Sequence, residues 1–134
     1  MLNIRTLRDA NLTVTKALPA QNSTNASSSI DTANANPGRV PNVEGLILLP
    51  ATPSLANGQT VTLTFKDSAD NSSFAASADV PAQVVTGAGG VGAAALSYQF
   101  KLPIGLRRYI RVDATTSATT GDNTAVSYTL GLVF

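Results

Sequence analysis

Residues 59–67, QTVTLTFKD, alternate without a break. Val61, Leu63 and Phe65 point to one side, and Thr60, Thr62, Thr64 and Lys66 to the other. A period of two is the pattern of a β-strand with one buried face. The same rhythm returns in AALSYQFKL, with Leu96, Tyr98, Phe100 and Leu102 inward and Ser97, Gln99 and Lys101 outward. It returns again in TAVSYTLGLVF at the carboxyl end, which aligns Val126, Tyr128, Leu130, Leu132 and Phe134. The opposite row there holds Ala125, Ser127, Thr129, Gly131 and Val133, small enough for another surface to approach closely.

VEGLILLP, residues 43–50, is a continuous apolar run and reads as a central strand covered on both faces. NLTVTKAL, SSSIDT and QVVT are weaker strand candidates. Turn-forming stretches separate all of these: ANANPGRVPN, PSLANGQ, DSADNSS, GAGGVG and SATTGDN. Helical spacing is absent, apart from SFAASADV, which is expected to form one short helical turn. The fold class that follows is all-β, an antiparallel β-sandwich. A jelly roll of about eight strands is the leading architecture. An immunoglobulin-like sandwich ranks second, because its Cys–Trp–Cys signature is missing. Residues 13–134 form the single domain, and residues 1–12, with little alternation, read as an extended N-terminal arm that orders against something else.

Composition limits the chemistry. The 134 residues contain no cysteine, histidine or tryptophan. Disulfides, thiolate metal sites, a cysteine nucleophile and the commonest general base are therefore excluded. No cofactor or metal is expected. DSADNSS lacks the glycine and terminal glutamate of a calcium loop, and GAGGVG lacks the Lys-Ser/Thr of a phosphate loop. The acids are scattered without an evident acid–base pair, so the chain is not expected to be an enzyme. A net charge of +1 argues against a nucleic-acid partner. No apolar run approaches the ~18 residues of a membrane span, and MLNIRTLRD has no signal-peptide centre. The expected location is the compartment of synthesis, or an assembly built there.

One stretch concentrates charge. LPIGLRRYIRVDAT, residues 102–115, carries Arg107, Arg108 and Arg111, although charged residues are only 13% of the chain. Alternation puts Ile110, Val112 and Ala114 on the core side with Arg108 at its rim. Arg107, Tyr109, Arg111 and Asp113 fall on the other side. One reading is a solvated sheet face carrying an Arg111–Asp113 pair, which contributes little. The other is a docking surface, since arginine and tyrosine are enriched at protein–protein hot spots. Arg5 and Arg8 of the arm would add to such a surface.

FKDSADNSSFA, residues 65–75, together with LPIGLRRYIRV and the closing LGLVF, resembles the small cement (decoration) proteins of tailed bacteriophages, in particular the Bordetella-phage type. The likeness runs from Lys66-Asp67-Ser68-Ala69-Asp70 and Phe74 to Leu102-Pro103 and Leu106–Val112, and covers residues 43–134. It implies a non-enzymatic jelly roll on the outer surface of an icosahedral virion, made in the host cytoplasm. Its partner would be the major capsid protein, and it would self-associate as a dimer or trimer. Such proteins bridge capsomers and strengthen the shell against packaged DNA. Two other roles compete: a receptor- or glycan-binding sandwich of a head fibre, for which Tyr109 is the one outward aromatic, and a tail component.

Overall fold

A computed structural model describes residues 12–119 and 121–134. Among these residues the chain forms β1 (Thr13–Ala17), β2 (Thr24–Ala26), β3 (Ile30–Asp31), β4 (Glu44–Leu49), β5 (Thr60–Ser68), β6 (Ala75–Ala76), β7 (Gln83–Thr86), β8 (Leu96–Lys101), β9 (Tyr109–Thr116) and β10 (Ser127–Val133). A 3-10 turn over Pro37–Arg39 precedes β4. The arm assigned to residues 1–12, with Arg5 and Arg8, lies outside the described residues except for Leu12.

The strands make two sheets, antiparallel throughout. The first has the order β1-β10-β4-β8 and the second β2-β9-β5-β6, with β3 also on β9 and β7 also on β5. They pack face to face around one apolar cluster to which both contribute, giving a β-sandwich. Val61, Leu63 and Phe65 of β5 and Ile110, Val112 and Ala114 of β9 are essentially inaccessible to water. Opposite them stand Ile47 and Leu49 of β4, Phe100 of β8, and Tyr128 and Leu130 of β10. Removing this area from water is the main force holding the sheets together.

The apolar run at β4 does become a central strand, between β10 and β8. Its Gly45 has a specific use. The Phe100 ring lies across it, so close that a Cβ on Gly45 would stand 2.4 Å from the ring. From there Phe100 meets Phe65 of the other sheet edge-on, with centroids 5.0 Å apart, and stacks on Tyr98 at 5.4 Å. Tyr128 is buried in the same core, and its hydroxyl donates to Asn25 Oδ1 at 3.0 Å. Burial pushes that phenol well above its usual range, with the Asp113 charge adding to the effect.

Two expectations need correction. SFAASADV forms no helical turn: Ala75 and Ala76 pair with Asp67 and Lys66 as β6, and a tight turn closes from Ser77 to Val80. This end of β5 is paired with β9 on one side only, and satisfying its remaining backbone groups outweighs a weak local preference for helix. Phe134 was expected in the inward row, yet β10 ends at Val133 and leaves the Phe134 ring exposed.

Candidate docking surface

The arginine stretch begins in a turn. Leu106 N–H donates to the Pro103 carbonyl at 3.0 Å, which puts Ile104 at the tip, 70% exposed, while Leu106 is buried beneath. The 3-10 turn packs against the same loop, because Gly38 lies against the Pro103 carbonyl. Val40, just after that turn, is also exposed. Arg107 and Arg108 therefore precede β9 rather than belonging to its alternation.

Arg107 turns back onto β5. Its backbone N–H donates to Asp67 Oδ2 at 2.9 Å, and its Nη2 donates to Asp67 Oδ1 at 2.9 Å and to the Asp67 carbonyl at 2.7 Å. Asp67 continues the inward row of Val61, Leu63 and Phe65, so its carboxylate sits at the rim of the core, 7% exposed. Burial alone would raise its pKa. The hydrogen bonds from Arg107, side chain and backbone, outweigh that and hold the carboxyl below its ordinary range. Arg107 is raised in turn by the same partner.

Arg108 points outward and grips Asp31 of β3 with two parallel bonds, Nε to Oδ1 at 2.7 Å and Nη2 to Oδ2 at 2.9 Å. That geometry is the strong form of the pair. Both side chains are nearly half exposed, so water screens it. The hydrogen bond to Arg108, and another from the Ala33 N–H, keep Asp31 below its usual range. The Arg108 guanidinium also lies 5.2 Å from the centre of the Tyr109 ring.

Further along, Lys66 of β5 and Arg111 of β9 are direct cross-strand neighbours. Like charges so placed repel, and Asp113 resolves the conflict. Its Oδ2 lies 2.8 Å from Lys66 Nζ, and its Oδ1 accepts from Arg111 Nε at 2.8 Å. The Phe74 ring covers Arg111, with the guanidinium carbon 4.1 Å from the ring centre. The loop that carries Phe74 is held by Asp70, which accepts from the N–H groups of Ser72 and Ser73 and from the Ser68 hydroxyl. Those bonds keep the Asp70 carboxyl far below its ordinary range.

The predicted site residues thus separate into two groups. Tyr109, Arg111 and Asp113 do share the outer face of β9, and the Arg111–Asp113 pair is present. Asp113, however, is buried between two cations and offers little to a partner. Arg107 does not join their row; it clamps the core rim at Asp67. Arg108, expected at that rim, lies outside on Asp31. The accessible portion is the entry to β9, namely Ile104, Arg107, Arg108 and Tyr109, beside Val40.

Asp67 is not among the predicted site residues, because it opens the turn-forming stretch DSADNSS. The signal was available: Asp67 is next in the inward row after Phe65, and a carboxylate at a core rim calls for a cation. Ile104 had no such signal, since its exposure depends on a turn geometry that periodicity does not encode.

Among the described residues, no group of three or more acids is arranged to hold a metal ion, and no helix is long and apolar enough to cross a membrane. What the surface offers is planar cations and an aliphatic tip on a rigid sheet, the elements of a protein-binding patch. A scan against models of known protein families finds no match for this chain, and a search of curated proteins also finds none.

Proposed function

We propose that this chain is a non-enzymatic structural protein of a tailed-phage virion. It acts as a capsid cement protein that docks on the outside of the head through the entry to β9. The observation that carries the reading is where the resembling segments lie. Residues 65–75 and 102–112 are distant in sequence but interlock as one patch, through Asp67–Arg107, Phe74–Arg111 and the Asp113 bridge from Lys66 to Arg111. The fold is, on this reading, a jelly roll. β2 and β3 share one neighbour, β9, and β6 and β7 share β5, so the ten strands count as eight. Those eight pair first with last, second with seventh, third with sixth and fourth with fifth, as one long rolled hairpin requires.

The major capsid protein is the proposed partner, and self-association into a dimer or trimer would tie several capsid subunits together. Weak contacts then suffice, because linkage raises their effective concentration. Tyr109 gives the glycan-binding reading little support, since Arg108 already lies over its ring. The test is to mix purified protein with expanded, undecorated phage heads and pellet them. Saturable binding at hundreds of copies per head is the expected result, whereas tail components bind in sixes or twelves. Ile104→Asp should weaken binding with the domain still folded. A monomer that stays in the supernatant would end this proposal.

A further inference from the structure

The connection between β4 and β5 carries a chemistry that the docking surface does not use. Asn57 is the one asparagine in the chain followed by glycine, and both residues are exposed. A side-chain amide of asparagine is open to attack by the backbone nitrogen of the next residue. Glycine, with no Cβ, hinders that attack least. Here the pair sits in a tight turn: Gln59 N–H donates to the Ala56 carbonyl at 3.0 Å, and Gly58 supplies the left-handed φ of +75° at the third position. Both reacting groups are already engaged. Gly58 N–H, the attacking nitrogen, donates to the Gly87 carbonyl at 2.9 Å. Asn57 Oδ1 accepts from Gly89 N–H at 3.3 Å. Gly87 N–H donates in turn to the Gln59 carbonyl at 2.9 Å, and Asn57 and Gly87 form a parallel bridge.

We infer that Asn57–Gly58 is a deamidation site that the glycine-rich loop 87–92 holds closed. In the reaction Gly58 N bonds to Asn57 Cγ and gives up its proton to solvent. The Cγ–Nδ2 bond breaks, and Nδ2 takes a proton from solvent and leaves as ammonia. Water then opens the cyclic imide at either carbonyl, giving aspartate or isoaspartate. The net change is water taken up and ammonia released, with no oxidant or reductant.

Closure depends on Gly87. A Cβ there would stand 2.3 Å from the Ala56 carbonyl oxygen and 2.5 Å from that of Leu55, so only glycine lets the two backbones meet. Freeing Gly58 N–H requires the loop to move away, and the site therefore reacts only as often as this part of the molecule opens. The two products differ in consequence. Aspartate keeps an oxygen for Gly89 N–H and strengthens that bond with its charge. Isoaspartate adds a main-chain carbon ahead of Gly58, which carries its N–H off the Gly87 carbonyl and prevents the bridge from closing again. β8 separates this loop, before Leu96, from the 102–108 turn, after Lys101. The site thus lies at the end of the sandwich away from the proposed docking surface, and the inference stands or falls separately from capsid binding.

The test is peptide mapping by mass spectrometry after incubation at mildly alkaline pH, on the folded protein and on the same chain in guanidinium chloride. In the unfolded chain the amide-to-acid mass gain is expected first at Asn57. In the folded protein the reaction there should be slower by about 10-fold or more. Gly87→Ala should recover most of that difference in a domain that is still folded. Should this variant not fold, hydrogen exchange of the unaltered protein reads the same gate, with the Gly58 amide expected to be protected. Equal rates at Asn57 in the two states would overturn the inference. So would earlier modification elsewhere in the unfolded chain, a folded Gly87→Ala that reacts no faster than its parent, or an unprotected Gly58 amide.

Discussion

The two sheets are alike on the inside and opposite on the outside. Facing the core, both present rows of valine, leucine, isoleucine and aromatic side chains. Facing outward, β4 and β10 present Leu46, Gly131 and Val133, whereas β5 and β9 present Lys66, Arg111 and Asp113 among threonines. The first outer face carries a small apolar strip bordered by exposed polar residues such as Thr15, Ser97 and Gln99. The second is a charged surface whose cations are partly matched by internal acids. Alternation alone secures the sandwich, because it needs only one apolar row per strand. The outer rows are free to differ, and they decide what each face meets.

The core side sets the scale against which both outer faces are judged. Phe65→Ala removes a ring that contacts the opposite sheet and should cost about 3–5 kcal/mol in urea unfolding. A smaller loss would mean that the two sheets depend less on each other than their packing implies. Next comes the charged face. Asp113→Asn leaves Lys66 and Arg111 opposed without a bridging carboxylate and should cost about 1–2 kcal/mol. Most of that cost should vanish when Lys66→Met is added, since the repulsion goes with the charge. A full cost in the double variant would show that Asp113 acts through packing instead.

Acid should act at the rim of the core, through Asp67. Asp67 holds its proton less tightly in the folded chain than in the unfolded one, where an aspartate titrates at about 3.9. Its contribution is therefore fully present above that range and is lost as pH falls through the lower, folded value. Urea midpoints should drop as pH is lowered below about 4.5, and Asp67→Asn should flatten part of that fall while lowering stability at neutral pH. An unchanged acid limb would assign the fall to other carboxylates. The smallest effect is expected at Arg108→Ala. Its pair with Asp31 is exposed, so thermal midpoints should hardly move. Reduced capsid binding with unchanged stability there would sharpen the distinction between holding the fold and meeting a partner.

Legibility in the sequence follows the same division. β5, β8 and β10 are visible because one buried face imposes a period of two, and β4 because burial on both faces makes it continuously apolar. β6 was hidden, since two alanines have no pattern and form a strand only because Asp67 and Lys66 need partners. The placement of the arginines was half visible. Arg111 and Asp113 obey the strand period, so their pairing could be read. Arg107 and Arg108 lie just before the strand, where side-chain direction depends on the turn and on acids from β5 and β3. Alternation can mark Asp67 as a carboxylate in need of a cation, but it does not say which arginine answers it.

Hydrogen exchange of the protein, free and bound to undecorated heads, tests the central claim most directly. Slowed exchange confined to residues 103–109 and the adjoining turn at 37–40, with β1 and β8 unchanged, is the predicted result. Protection of those edge strands with 103–109 unaltered would contradict the account, as would identical exchange in the presence and absence of heads.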